Sequence, residues 1–573
     1  MGTNGRWVVD DDPKETFPIW TRGNVGEVFP NVVSPLTWSA YGSRAELGWR
    51  EAFRKFGGLD DDDYRGEMPA IIGVFGGYCY LNVSVHRVLA VRTPGLTPAD
   101  MDRAIFGESE APAYEAGDGD KDRRATLRIL RTVAKTLFAK ALPQLDDDKA
   151  FATRWVAKQP DPTTATEEDL LATTTSFRPV FQRLFGTHIH TTFSGTIPTG
   201  ILNDLCTNKL GDPGLVVRLL GGIGDVESAE PASALWDLGR TVAASEKLTA
   251  AFDAGLDGLE ERLIVDGAAG FLRDLERFQT LFGSRGPNEW EGSSPTWGTD
   301  SSLVLAAIDA MRRADPSHAP GAQSAALAAD RLAATGHCRK GLKGGARAQF
   351  NLALRSAALF SQGRERSKTT IIRAVHGNRL AQLELARRGR ERGGPEALAD
   401  FWLLRFEELP DYLSAPSGFT AVIDERRALR DELSALEPPF VFVGTQPERS
   451  TWTRRDGLDQ TKAVAGTELR GIAGCPGVAR GRARVVLDPA DPRGIGPGDV
   501  LIAPITDPAW TPLFVPAEAV VVDVGAQMSH AVIVSRELGI PAVVSVTGAT
   551  RLIPEGALIE VDGTAGVVRI LEI

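Results

Sequence analysis

Cysteine is scarce in this chain: four in 573 residues, at positions 79, 206, 338 and 475. No pair has Cys-x-x-Cys spacing, so neither a zinc site of the usual kind nor a disulfide framework is expected. No stretch approaches eighteen consecutive apolar residues, which excludes an ordinary transmembrane helix. Basic charge does not prevail either. Lys and Arg number 64 against 75 Asp and Glu, a net charge of −11, which argues against a general nucleic-acid binder. The opening MGTNGRWVVDDDPKE has no basic start and no apolar centre, so it does not read as a secretory signal. Arg6 stands where a myristoylation motif needs Ser or Thr. The expected location is the cytoplasm. Glycine (60) and proline (35) are too few for a disordered or collagenous chain. What is there is ordinary globular material, 43% hydrophobic and 24% charged, long enough for about four structural units.

Acidic runs at 10–12, 60–63 and 146–148 lack the alternating ligands and Gly turn of a calcium loop, and read as solvated loops. The N-terminal 120 residues look mixed; IIGVFGGYCYLNVSV (71–85) is β-rich, with Gly76-Gly77 as its turn. From about 122 to 440 the pattern is helical. Phe271, Leu275, Phe278 and Phe282 form one apolar stripe closed by Gly283. Residues 351–389 read as one long helix, with Gly363 and Gly377 as candidate breaks. Residues 443–463 are polar and unpatterned, the best linker candidate. Beyond them short β-rich runs recur at 483–488, 499–504, 519–525, 541–546, 557–563 and 567–571, with one helix near 529–538. The expected organisation is a mostly helical domain over 1–442 with some β near its start, a linker over 443–464, and an α/β domain over 465–573.

GAQMSHAVIVSRELGIPAVV (525–544) is the most informative segment. A strand ends at Gly525, a turn follows, and a helix starts at Ser529-His530, with Gly539 past its end and Pro541 stopping it. His530 therefore sits at a helix N-terminus, where free N–H groups favour negative charge and a neutral imidazole. That is what a phosphoryl acceptor needs: a nucleophile beside a phosphate cradle. Taken alone, such a histidine is more often a cap or a core residue.

The surrounding residues decide otherwise. Gly525, Ser529, His530, Ala531, Arg536, Gly539, Ile540 and Pro541 resemble the swivelling phosphohistidine domain of the phosphoenolpyruvate-utilising enzymes. GCPGVARGRARVV (474–486) is similar to that domain's opening strands, and TDPAWTP (506–512) to its second signature. Two positions depart: Ala526 replaces the second glycine before the histidine, and Met528 stands where the dikinases often have Thr. The resemblance implies that His530 is a phosphocarrier, with Gly525, Ser529 and Arg536 in its loop.

The stretch after His530 is too short for the pyruvate-binding barrel of about 250 residues, so pyruvate is not the expected acceptor. No Walker-type loop is visible, and the helical pattern over 122–440 speaks against an ATP-grasp module there. The first 440 residues instead resemble the acceptor-binding region of rifampicin phosphotransferases and of phenylphosphate-synthase-type subunits. The similar motifs are NVGEVFPNVVSPLTWS (24–39), FGGYCYLNVS (75–84), FGSRGPNEWEGSSPTW (282–297) and GRERSK with Arg373. Arg285, Gly286 and Glu289 match the family's loop, while Ser284 replaces its usual histidine.

Arg364 and Lys368 are four apart, on one helical face. They read either as a clamp on a phosphoryl group in transit, which the resemblance implies, or as a solvated face. Arg285 and Glu289 read either as orienting groups or as a structural ion pair. His188 and His190, on a strand, would face one side, as a general base or a substrate contact. No third ligand accompanies them, so no metal site is expected. Trp20, Trp38, Trp290 and Trp297 lie in the family-like motifs and read as core or as pocket lining.

The resemblance implies an ATP-dependent dikinase-type phosphotransferase subunit. A separate ATP-grasp protein, similar to the N-terminal part of pyruvate phosphate dikinase, would load His530 using ATP and Mg2+; no cofactor bound tightly by this chain is expected. The acceptor would be a small hydroxylated molecule, a phenol or alcohol first and a rifampicin-like antibiotic second. A binding or regulatory protein that kept the swivel fold is the reading from a different class. No nucleic acid and no membrane is expected as a partner.

Overall fold

The computed structural model describes residues 5–12, 15–106, 111–212, 214–224, 230–316, 319–457, 462–487, 495–496, 498–506, 510–525 and 529–573. Ala526, Met528, His318, the centre of TDPAWTP and residues 458–461 of the expected linker lie outside them. The helices used below are α1 (Glu167–Asp204), α2 (Glu230–Ala243), α3 (Ala269–Phe282), α4 (Ser301–Arg313), α5 (Gly344–Glu391) and α6 (His530–Leu538). The stripe at 271–282 thus forms its helix with Gly283 past the end, and α5 runs through Gly363 and Gly377 without a break. No helix among the described residues is long and apolar enough to cross a membrane.

The chain divides into two compact units, each assembled from separated stretches. The first holds residues 1–198, 290–294 and 359–459. Its sheet contains β1 (Ile19–Thr21), β2 (Ile72–Phe75), β3 (Tyr78–Asn82) and β4 (Val441–Val443), in the order β2-β3-β1-β4 and antiparallel throughout. β2 and β3 form the hairpin across Gly76-Gly77, both in the left-handed region. Trp20, fully buried, stands opposite both Asn82 and Phe442. Within α1, Phe177, Phe181 and Phe185 recur every fourth residue, and Tyr41 packs on Phe177 and Phe181. That spacing puts the rings in one row facing the core.

Part of the stretch read as a linker belongs to this unit. Trp452 is buried in its core, and Gln446 donates to the Phe75 carbonyl at 3.1 Å. A tryptophan with an apolar bed and a glutamine with a backbone acceptor hold a segment whose composition alone looks unstructured.

The second unit holds 199–289, 295–358 and 460–573. Its sheet contains β5 (Glu468–Arg470), β6 (Ile472–Cys475), β7 (Val478–Val485), β8 (Asp499–Ala503), β9 (Ala519–Val522), β10 (Ala542–Val544), β11 (Leu558–Asp562) and β12 (Val567–Glu572). The order is β5-β12-β11-β7-β8-β9-β10-β6. β7 to β10 run parallel, and the flanking pairs are antiparallel. The central strands are buried on both faces. Leu501, Ala503, Val520 and Val522 share one core with α6 and with Leu235, Leu275, Phe278 and Ile308 of α2, α3 and α4. Val500, Ile502, Val521 and Val543 face the other core. This is the period-two alternation of a sheet covered on both sides.

The compact units therefore differ from the expected cut at 443–464. Helical residues 199–289 and 295–358 pack with the C-terminal sheet because the apolar stripes of α2, α3 and α4 are buried against it. Fold class is as expected: mainly helical with strands near the N-terminus, then an α/β sheet domain.

Candidate functional site

His530 is the first residue of α6. Ser529 before it is extended (φ −68°, ψ 162°), and its hydroxyl accepts from the Val532 N–H at 3.5 Å. This is N-cap chemistry, followed at the far end by Gly539 in the left-handed region. The cap fixes where the helix begins, and so aims the first side chain. The ring of His530 is half-buried. Nδ1 lies 3.4 Å from Thr506 Oγ1, Nε2 lies 3.4 Å from Thr511 Oγ1, and Phe514 meets the ring edge-on at 6.0 Å. At 3.4 Å these contacts orient the imidazole but are weaker than ordinary hydrogen bonds. Both threonines lie in the TDPAWTP signature, which the sequence reading quoted without assigning its hydroxyls a role.

Gly525 stands where a side chain has no room. A Cβ there would meet Val544 Cβ at 3.0 Å, Val522 Cγ2 at 3.2 Å and Ser529 Oγ at 3.3 Å. Its carbonyl accepts from the Ser545 hydroxyl. Glycine lets the backbone just beyond β9 pass close to Val544, Val522 and Ser529.

Arg536 is not at the imidazole. It is half-buried and donates through Nε to the Gly474 carbonyl at 3.1 Å, tying α6 to β6. Burial pushes its guanidinium down to about 10. It braces the helix that carries His530 and does not belong to the carrier loop.

A second group assembles in the first unit. His188 Nδ1 lies 2.9 Å from Ser367 Oγ, and the Ser367 hydroxyl donates to the Arg364 carbonyl at 2.8 Å. Burial, then the charges of Arg364 and Lys368, push His188 down to about 3. Its ring lies 6.4 Å from that of Trp290 and 6.5 Å from Phe185. The two cations of α5 and His188 thus act on one place. Arg364 also sits 3.7 Å from Glu365, and Arg373 is exposed. His190 does not join them. Both histidines are on the helix α1, not on a strand, so residues two apart point to different sides. Burial and the charge of Lys55 push His190 down to about 4.

In the second unit Arg285 Nε lies 3.4 Å from Glu289 Oε2, and both side chains are buried. Gly286 allows the loop to close: a Cβ there would meet Thr296 Cα at 2.7 Å. Ser284, in place of the family's histidine, is also buried.

The sequence reading passed over Glu291, in the first unit. Its carboxylate accepts from the Ser34 N–H (3.2 Å), the Ser34 hydroxyl (2.5 Å), the Thr37 hydroxyl, and the N–H and hydroxyl of Ser293 (3.2 Å each). Arg379 holds the Glu291 and Gly292 carbonyls at 2.9 and 3.2 Å. Two motifs some 250 residues apart in sequence are joined here, Ser34-Pro-Leu-Thr and Glu-Trp-Glu-Gly. The available signal was that both lie in family-like segments.

Residues 495–566 match the mobile domain of PEP-utilising enzymes. That domain contains His530 and its two threonines. The chain resembles the PEP-utilising enzymes. Residues 187–365 match the fourth domain of rifampicin phosphotransferase, a stretch that includes His188, Arg285, Glu289 and Arg364. An uncharacterised protein of Mycobacterium tuberculosis is 28% identical over the whole chain. The prodigiosin synthesizing transferase PigC of Serratia marcescens is 26% identical over 98% of it. A rifampicin phosphotransferase of Streptomyces sviceus is 30% identical over 66% of it. The chain spans 63%, 64% and 44% of these relatives, respectively.

Proposed function

We propose that this chain works as a phosphotransferase, or as part of one, in which His530 carries a phosphoryl group to a hydroxyl of a small organic acceptor. The observation that carries the reading is His530 itself: first in a capped helix, half-buried, between two hydroxyls, inside a stretch that matches the mobile domain. The positive end of the α6 dipole favours a dianionic phosphoryl group on the ring. Thr506 and Thr511 hold the imidazole plane, so that one nitrogen presents its lone pair to the incoming phosphorus. Attack by that lone pair makes the N–P bond.

Loading uses an ATP-grasp protein as a separate partner, with ATP as phosphoryl source and Mg2+ as the ion that offsets phosphate charge. From His530 the phosphoryl group passes to the acceptor-binding part of the chain, where Arg364 and Lys368 offset its charge. Transfer rests on positioning and electrostatics rather than on covalent chemistry by the protein. The rings of Trp290 and Phe185 beside His188 supply an apolar wall, which suits a phenol or another flat alcohol. The match of 187–365 to a rifampicin phosphotransferase domain favours a second acceptor class, a rifampicin-like antibiotic. A cytoplasmic location fits either acceptor.

The test is intact mass of the chain after incubation with an ATP-grasp partner, ATP and Mg2+, beside His530→Ala. An acid-labile phosphate adduct on the unsubstituted chain alone is expected. No adduct in the presence of a partner with proven activity overturns the carrier reading and leaves a binding protein.

A further inference from the structure

The hydrogen-bond chain around His188 favours a proton on one of its two nitrogens. A serine hydroxyl has one hydrogen to donate. That of Ser367 goes to the Arg364 carbonyl at 2.8 Å. Ser367 Oγ can then only accept from the imidazole, 2.9 Å away, so His188 Nδ1 is the protonated nitrogen and Nε2 bears the lone pair. The helix geometry enforces this, because Ser367 donates back along α5 to the residue three before it.

We propose that His188 Nε2 is the base that takes the acceptor's hydroxyl proton while Arg364 and Lys368 hold the phosphoryl group. This rests on the phosphotransfer reading above and names the general base for it. The acceptor O–H bond breaks and its proton goes to His188 Nε2. The oxygen's electron pair forms the O–P bond. The P–N bond to His530 breaks, and its pair returns to that ring, which is a neutral imidazole when its other nitrogen holds a proton. His188 then gives its extra proton to water.

The surroundings of His188 make the base conditional. The charged groups that act on it are Arg364 and Lys368, both from α5; Trp290 and Phe185 cover it with neutral rings. Glu365 stands 3.7 Å from Arg364. Beside the two cations a positive imidazole is still disfavoured and the ring is a poor base. A phosphoryl dianion between the cations cancels that repulsion and raises the ring's affinity for a proton. The base is therefore strengthened by the arrival of the group whose transfer it assists.

The experiment is nitrogen NMR of the full chain labelled with 15N-histidine, the His188 signals being assigned by their loss in His188→Gln. Inorganic phosphate is the probe. In phosphate-free buffer we expect the Nδ1–H tautomer and a ring that stays neutral down to the acid limit of the fold. Saturating phosphate should raise its proton affinity at least tenfold, about one pH unit. Lys368→Met should raise the affinity without phosphate and shrink the phosphate response. Ser367→Ala should release the tautomer preference. An Nε2–H tautomer, or a ring that ignores phosphate at every concentration, overturns the assignment. The intact-mass test on the same preparation keeps the two readings apart. An adduct on His530 beside an unresponsive His188 removes only the base; a responsive His188 without an adduct removes only the carrier.

Discussion

The two units treat histidine in opposite ways. In the first, four rings are pushed toward the neutral form, His86 and His188 buried and His190 and His376 half-buried: His86 and His190 are pushed down to about 4, His188 and His376 to about 3. Burial is the largest cause each time. His86 shows the extreme, walled by Trp49, Phe53 and Phe193, with Nδ1 2.6 Å from the Asn82 carbonyl. In the second unit, His530 is also half-buried but opens a helix, with long contacts to two hydroxyls. A ring sealed among aromatics cannot accommodate a dianion. One that opens a helix, with backbone N–H groups beside it, can.

The largest effect expected from this contrast is on the carrier. His530→Gln should abolish the phosphate adduct while shifting the melting temperature little, because the ring is half-buried and its contacts to Thr506 and Thr511 are long. A large loss of stability would make His530 a structural histidine, as His86 is.

Acid comes next. Each histidine with a lowered folded value costs stability once the unfolded chain, with its ordinary value near 6.5, begins to take up protons. The contribution is complete above that value and is lost as pH falls. Between pH 7.5 and 5.5 the loss is about 1.4 kcal/mol per buried ring. Asp10, raised to about 7 by burial, works the other way over the same window, gaining as pH falls. It offsets one or two of the four rings. Calorimetry or limited proteolysis should find the first unit weakened more than the second; equal loss in both would break the comparison.

Gly525→Ala is expected to cost about 1–2 kcal/mol, since the added methyl must displace Val544 or Val522. The adduct should form more slowly because the cap at Ser529 moves with the turn. The smallest effect belongs to Thr511→Val. Removing one 3.4 Å contact should slow loading about two- to threefold, near 0.5 kcal/mol. A hundredfold loss would mean that Thr511 touches the phosphoryl group.

The sequence was most legible where local patterns and distant packing agree. β8, β9 and β10 are short β-branched runs between glycines and prolines, and they form where those runs lie. Ser529 and Gly539 bound α6 as cap chemistry requires. Legibility ended where the deciding partner is remote. THIHTTF has the β-branched look of a strand, yet it lies inside a 38-residue helix, and the partner that orients His188 is Ser367, 179 residues later. Nothing local tells that Arg536 turns to the carbonyl of Gly474 rather than to the imidazole, since that carbonyl arrives on a strand 62 residues earlier. Glu291 was hidden for the same reason: its donors at Ser34 and Thr37 come from the other end of the sequence.

One pairing in the second sheet has a consequence for how such a protein is put together. β5 lies against β12, with Arg470 opposite Val567, so the polypeptide enters and leaves the histidine-bearing sheet along the same edge. Both connections emerge side by side, and the parallel strands at its centre are untouched by what is joined on. The first and last strands of the sheet thus close it as a clasp, each backbone end held by the other's ladder.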